Sequence, residues 1–301
     1  MPGAKPRAVT AARRYIPGTV SDGIPHVAGV EHEFVDAGGL RTHAAIAGEG
    51  PPVVLLHGWP QHWYLWRDVI PLVAPHARVI APDFRGFGWS EVPRSGYEKD
   101  QLKRDVLAVL DELGVDEFCV AGHDWGGYVG FLLALEHPDR VKGLLALNTL
   151  PPWQPRDRKV ALDAWRFLYM PVLSTPGLGG WVGRTLGPRA IPEDARDAFA
   201  SRLGGERARA TERLYRAFFL RELPGALGGR RSAADLRVPT RLVFGQRDVV
   251  ITTRAVEDAA AQSEMVELEL VADATHFVVD EKPELVADRL LGLLRQEAQA
   301  S

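Results

Sequence analysis

The stretch Glu117-Phe-Cys-Val-Ala-Gly-His-Asp-Trp-Gly-Gly127 decides the fold. An apolar run of strand length leads into a turn dense in glycine. A second apolar segment, from about Gly127 to Glu136, has the length of a helix and is ended by His137-Pro138. Such a sharp strand-to-helix turn lifts one side chain clear of the backbone. Glycine is needed around it because a Cβ would clash with the strained chain, and Gly122, Gly126 and Gly127 hold those places. The side chain lifted is that of Asp124. A carboxylate attacking an acyl carbonyl gives only a reactive anhydride, whereas attack on a saturated carbon gives an ester that water then cleaves. The residue type favours an epoxide or an alkyl halide over an ester or amide.

Outward from the elbow, Glu31 to Ala47 reads as a hairpin turning at Gly38-Gly39, and Val53–Leu56 as a short buried strand. Arg78–Ala81 is another strand, running to Asp83. Leu102, Val106, Val109, Leu110 and Leu113 recur at helical spacing before Gly114, and Val141 to Leu147 is again strand-like. Short strands separated by helices predict a mostly parallel sheet with helices on both faces. From about Pro151 to Arg230 that rhythm stops, and helical stretches rich in Arg, Trp and Tyr are cut by Pro and Gly. Strands resume at Thr240–Phe244 and Met265–Val271, and an amphipathic helix spans about Glu284 to Gln296. The reading is an α/β core of residues 29–150 and 231–301, a helical insertion at 151–230, and an irregular arm over the first 28 residues.

Composition narrows the function classes. The 301 residues are 46% hydrophobic and 25% charged, as in an ordinary globular protein. A net charge of -3 points to neither nucleic acid nor a membrane surface. No apolar run reaches the ~20 residues of a membrane span. The first 20 residues hold Arg7, Arg13 and Arg14 without an apolar core behind them, so no cleaved signal is expected. With a single cysteine, Cys119, no internal disulfide forms, and a cytoplasmic location is expected. Cys119 reads as a small core residue.

Three further elements complete a constellation. Val54-Leu-Leu-His-Gly-Trp-Pro60 sets a glycine turn directly after a strand, so that the backbone N–H groups of Trp59 and Trp125 can face a developing negative charge. Phe244-Gly-Gln-Arg-Asp248 puts a carboxylate just past a strand end, and Ala274-Thr-His276 puts a histidine after the final strand. Strand C-termini converge on one edge of a parallel sheet, where active sites lie. The order nucleophile, acid, histidine is that of a hydrolase triad.

These motifs together resemble the α/β-hydrolase superfamily, in its epoxide hydrolase branch, with haloalkane dehalogenases as near relatives. The resemblance covers about residues 30–297. It implies the α/β-hydrolase fold with an inserted helical cap. His57-Gly58-Trp59-Pro60 matches the oxyanion motif, Asp124 the aspartate nucleophile, Asp248 and His276 the acid and base. Asp83-Phe-Arg-Gly-Phe-Gly-Trp-Ser90 matches a shared loop in which Asp83 has a structural part. The resemblance also implies two cap tyrosines that bind the epoxide oxygen and act as the ring-opening acid. Leu168-Tyr169, with Pro176-Gly177 downstream, fits the first setting and Leu214-Tyr215-Arg216 the second. Trp165, one helical turn from Tyr169, is an alternative pocket-lining residue, and His57 and Pro60 are expected near the substrate. Dehalogenases often carry Asn where Trp59 stands, and fluoroacetate dehalogenases an Arg where Trp125 stands.

The implied chemistry is alkylation of Asp124 by an apolar epoxide, followed by hydrolysis of the ester by water activated by His276, giving a vicinal diol. No metal or organic cofactor is called for, and a homodimer is left open. A dehalogenase with the same triad and a non-catalytic ligand-binding protein are the competing readings. His57 is expected to shape its turn and His123 to hold the elbow. Arg207, Arg209, Arg213, Arg216 and Arg221 read as a solvated helix face. Gly86-Phe-Gly88 lacks the rest of a dinucleotide fingerprint.

Overall fold

A computed structural model describes residues 13–14, 23–153, 155–157, 163 and 165–300. The strands are β1 (Arg13–Arg14), β2 (Glu31–Ala37), β3 (Leu40–Ala47), β4 (Pro52–Leu56), β5 (Arg78–Pro82), β6 (Phe118–His123), β7 (Val141–Leu147), β8 (Thr240–Gly245) and β9 (Val266–Val271). They form one sheet in the order β1-β2-β3-β5-β4-β6-β7-β8-β9. Pairing is antiparallel from β1 through β3 to β5 and parallel from β5 to β9.

The central strands are buried on both faces, and their period of two divides one apolar run between two cores. Val54, Leu56, Val120, Leu144, Ala146, Leu242 and Phe244 pack on one face. Their chain neighbours Val53, Leu55, Cys119, Ala121, Leu145, Leu147 and Val243 pack on the other. The second face is covered by α1 (Ile70–Val73) and, from the far end of the chain, by α10 (Val278–Glu281) and α11 (Pro283–Ala300). The first is covered by α2 (Lys99–Glu112) and α3 (Trp125–Glu136).

Between β7 and β8 the described residues contain no strand. They form α4 (Tyr169–Ser174), α5 (Leu178–Leu186), α6 (Arg196–Ala200), α7 (Glu206–Ala217) and α8 (Leu223–Leu227), with a π-helical turn at Phe218–Glu222 joining α7 to α8. After β8 comes α9 (Thr253–Ala260). No described helix is long and apolar enough to cross a membrane.

Two sequence expectations are corrected here. Within the supposed irregular arm, Arg13 and Arg14 pair with Phe34 and Glu33 as an edge strand; residues 1–12 and 15–22 lie outside the described set. The arginines of α7 are not simply a solvated face. Arg207 donates to the carbonyls of Phe87 and Ser90, Arg213 to Pro93 and Arg216 to Ser174. Arg207 and Arg213 thereby tie the helical segment to carbonyls of the loop after β5, while Arg216 joins α7 to α4. Arg209 is exposed, and the exposed Arg221 pairs with Glu98.

Candidate active site

Asp124 joins β6 to α3 with φ of +53° and ψ of −120°, a left-handed conformation strained for any residue with a side chain. Its backbone is over-determined. The N–H donates to Leu147 O at 3.1 Å, and the carbonyl accepts from Tyr128 N–H and from the Thr149 hydroxyl at 2.8 Å. The turn needs bare backbone at Gly126, where a Cβ would lie 2.2 Å from Leu56 O. It also needs Gly58, where a Cβ would overlap the Asp124 side chain.

The Asp124 carboxylate is held by the two donors expected of an oxyanion hole. Trp59 N–H donates to Oδ1 at 2.9 Å, and Trp125 N–H also bonds the carboxylate. Burial raises the Asp124 pKa, against the pull of His276 and of these two N–H groups. His276 Nε2 stands 3.7 Å from Asp124 Oδ2, and its Nδ1 is 2.7 Å from Asp248 Oδ2. Asp248 accepts at Oδ2, so Nδ1 carries the proton and Nε2 of the neutral ring is left as an acceptor. Burial opposes protonation of His276, but Asp248 and Asp124 together outweigh it and raise the pKa. Asp248 itself, though buried, is held below its usual range by His276, Asn148 and backbone N–H groups.

Tyr169 and Tyr215 both reach this site from the helical segment. Tyr215 is 1% exposed. Its ring meets those of Trp59 at 5.5 Å, Trp125 at 5.9 Å and Tyr169 at 6.1 Å, each edge to face. Burial raises both phenol pKa values, and the Asp124 charge pushes the same way. These hydroxyls therefore keep their protons beside the carboxylate.

The other predicted site residues fare differently. Trp165 is 63% exposed, so it does not line the pocket; its ring packs against the guanidinium of neighbouring Arg166. His57 has both nitrogens engaged, Nε2 accepting from Phe84 N–H and Nδ1 donating to Gly58 O. It borders only a void of about 10 Å³ behind Trp59 and shapes the turn. Pro60 is buried beneath Gly187 of the helical segment. His123 Nε2–H donates to His276 O at 2.7 Å and so fixes the histidine loop. Asp83 is a buried acceptor for Trp63 N–H, Trp89 N–H and His43 Nδ1, a structural post.

Some contributors lie outside the sequence reading. Asn148, at the end of β7, donates to Asp248 Oδ2 at 2.9 Å and accepts from Gly245 N–H at 3.2 Å. The available signal was a polar residue ending an apolar strand at the sheet's active edge. Thr211 of α7 accepts from Trp59 Nε1–H at 3.0 Å. Lys99 and Glu222 pair beside Trp125, and nothing in their sequence settings marks them.

A carboxylate on an elbow, a histidine–aspartate pair and two backbone donors at the edge of a parallel sheet define a hydrolase-type site. The chain belongs to the alpha/beta hydrolase fold family, which it matches over residues 51–283. It is similar to the soluble epoxide hydrolase of Corynebacterium sp. (strain C12), 47% identical over 122 residues, 40% of this chain and 43% of that one. Haloalkane dehalogenase 2 of Mycobacterium bovis is 29% identical, with 89% of this chain and 96% of that one covered. The solved structure of the epoxide hydrolase CorEH without ligand superposes with a TM-score of 0.77 at 29% identity, covering 89% of this chain and 99% of that one.

Proposed function

We propose that the chain is an epoxide hydrolase, with residues 151–230 as a cap domain. The observation that carries this is the pair Tyr169 and Tyr215, whose rings meet each other at 6.1 Å and, through Tyr215, meet Trp59 and Trp125, the two residues whose backbone N–H groups hold the Asp124 carboxylate. An alkoxide is a poor leaving group and needs an acid at the site of ring opening.

Asp124 Oδ2 attacks a ring carbon while the tyrosines bind the epoxide oxygen and protonate it as the C–O bond breaks. Oδ1 becomes the ester carbonyl oxygen, already seated on Trp59 N–H and near Trp125 N–H. His276 Nε2 then takes a proton from water. The hydroxide adds to the Asp124 ester carbonyl, and the negative charge develops on the same Oδ1, held by donors that need no rearrangement. Collapse breaks the Cγ–Oδ2 bond: the alkoxide leaves with Oδ2, takes the hydroxyl proton from the new carboxyl group and departs as the diol, the carboxylate is restored with the oxygen of water, and the proton held by His276 returns to the tyrosine that opened the ring. Asn148 and the loop N–H groups keep Asp248 aligned on His276.

The decisive experiment replaces His276 by Gln and mixes the variant with a panel of epoxides and haloalkanes. Intact mass should rise by one epoxide mass, located on the Asp124 peptide, and the parent enzyme should release diol. Absence of an adduct, or label elsewhere, sinks the two-step mechanism. The competing reading is a dehalogenase, whose halide would have to draw the Trp125 indole N–H away from the Tyr215 hydroxyl that it bonds. Halide release without diol from any epoxide would decide for it.

A further inference from the structure

We propose that Lys99 and Glu222 form a buried positioning pair that seats Tyr215 on the Asp124 elbow for ring opening, an inference that rests on the function proposed above. Lys99 opens α2, yet its side chain is fully buried. Its Nζ donates to Glu222 Oε2 at 3.0 Å, and its backbone N–H donates to Glu222 Oε1 at 2.6 Å. One cap carboxylate thus holds both the ammonium and the first N–H of a core helix. The same ammonium lies 3.9 Å from the Trp125 ring centroid and 5.1 Å from that of Phe218, and those two rings meet at 4.9 Å.

Three elements therefore converge on one charge: the start of α2, the elbow helix through Trp125, and the cap through Phe218 and Glu222. Tyr215 is on the same continuous helical rod, since α7 runs directly into the π-helical turn Phe218–Glu222. Phe218 N–H bonds back to the carbonyls of Leu214 and Tyr215. A rod clamped at Glu222 and Phe218 fixes the height and rotation of Tyr215 above Trp125. Burial pushes the Lys99 pKa down against the pull of Glu222 and Asp124, so the ammonium depends on its partner being in place. A buried ion pair is a poor way to gain stability compared with apolar packing, and its best-attested use is to impose one register. Here the register is that of cap on core.

The test compares the parent with Glu222→Gln, Lys99→Met and the double variant Lys99→Met/Glu222→Leu. Rapid quench follows alkylation of Asp124 and hydrolysis of the ester separately, beside melting temperature. Loss of register should slow alkylation by about 10- to 100-fold and leave hydrolysis within about twofold, because near-attack geometry is lost only in the first step. The double variant should recover the melting temperature of the parent but not its alkylation rate. Where a single variant does not fold, the double variant decides. The inference fails if a folded variant alkylates at the parental rate, or if both steps fall in parallel as general loosening would produce. A parent that forms neither adduct nor diol removes the functional reading and this inference with it. An active parent with unchanged variants removes the inference alone.

Discussion

Replacing Asn148 by Ala should damage stability and catalysis together, and the structure gives the size. Asn148 is fully buried with φ of +41°. Its Nδ2–H bond to the Asp248 carboxylate is a bond to a charged group, of about 1.5–3 kcal/mol. Its Oδ1 is the acceptor for Gly245 N–H, and stranding that donor costs about 1–3 kcal/mol. Alanine tolerates a left-handed backbone less well than asparagine, by roughly 1 kcal/mol. The expected loss is about 3.5–7 kcal/mol, or roughly 6–11 °C in melting temperature for a chain of this size. Asn148→Gly relieves the backbone but not the two bonds, so it should recover only about 1 kcal/mol of that loss. Asp248 keeps the Val250 and Ile251 N–H groups on Oδ1, so ester hydrolysis should slow by about tenfold and not vanish. The folded pKa of Asp248 is depressed. Its stabilisation is therefore present above the unfolded carboxylate pKa and lost as pH falls through the folded value, and the gap between parent and variant should narrow in acid. Urea melts at neutral and acid pH, with single-turnover kinetics, measure all of this. Ala and Gly variants within about 0.5 kcal/mol of the parent would refute the reasoning, since that is the range of inert surface changes.

Tyr169→Phe or Tyr215→Phe should slow epoxide opening by ~100-fold without accumulating the adduct that His276→Gln traps; full activity in both would make them packing residues. The acid limb of ester hydrolysis should lie at lower pH than the His276 midpoint read by NMR in the free enzyme, which the Asp124 charge helps to raise. Alkylation neutralises that charge, so a limb at or above the free-enzyme midpoint counts against a covalent Asp124 ester. Asp83→Asn should destabilise by about 2–5 kcal/mol, because an amide cannot accept from two N–H groups and His43 at once. Its depressed pKa, set by neighbouring histidines against burial, makes that loss greatest near neutrality and smaller in acid, which acid and neutral melts compare.

The parts legible in sequence obey a short-range rule. Val53–Leu56 and Phe118–Ala121 read as strands because a strand buried on both faces is an unbroken apolar run, and Asp248 and His276 follow strand ends that a parallel sheet must bring to one edge. What was not legible depends on contacts between distant segments. Glu222 and Lys99 are 123 residues apart, and neither has a neighbour that marks it. Arg207 and Arg213 look like a polar helix face until the loop carbonyls they cover are known. Trp165 has the spacing of a pocket residue but turns to solvent, because helical spacing gives a direction only once the helix is docked.

In the proposed function the same division separates what the core residues do from what the helical segment selects. In the proposed mechanism Asp124, His276, Asp248 and the two backbone donors serve any substrate that alkylates a carboxylate, so they do not tell an epoxide from a halide. Discrimination falls to groups that meet the leaving atom, and these are of two kinds. Tyrosine hydroxyls supply a proton, which an alkoxide requires and a halide does not. An indole N–H supplies only a hydrogen bond, which suffices for a halide. The Trp59 indole is already spent on Thr211 of α7 and the Trp125 indole on the Tyr215 hydroxyl, whereas Tyr169 and Tyr215 keep their protons within the field of the Asp124 charge. On this proposal the substrate class follows from how α4 and α7 are seated, and the weight of the site's donors lies with oxygen as the leaving atom.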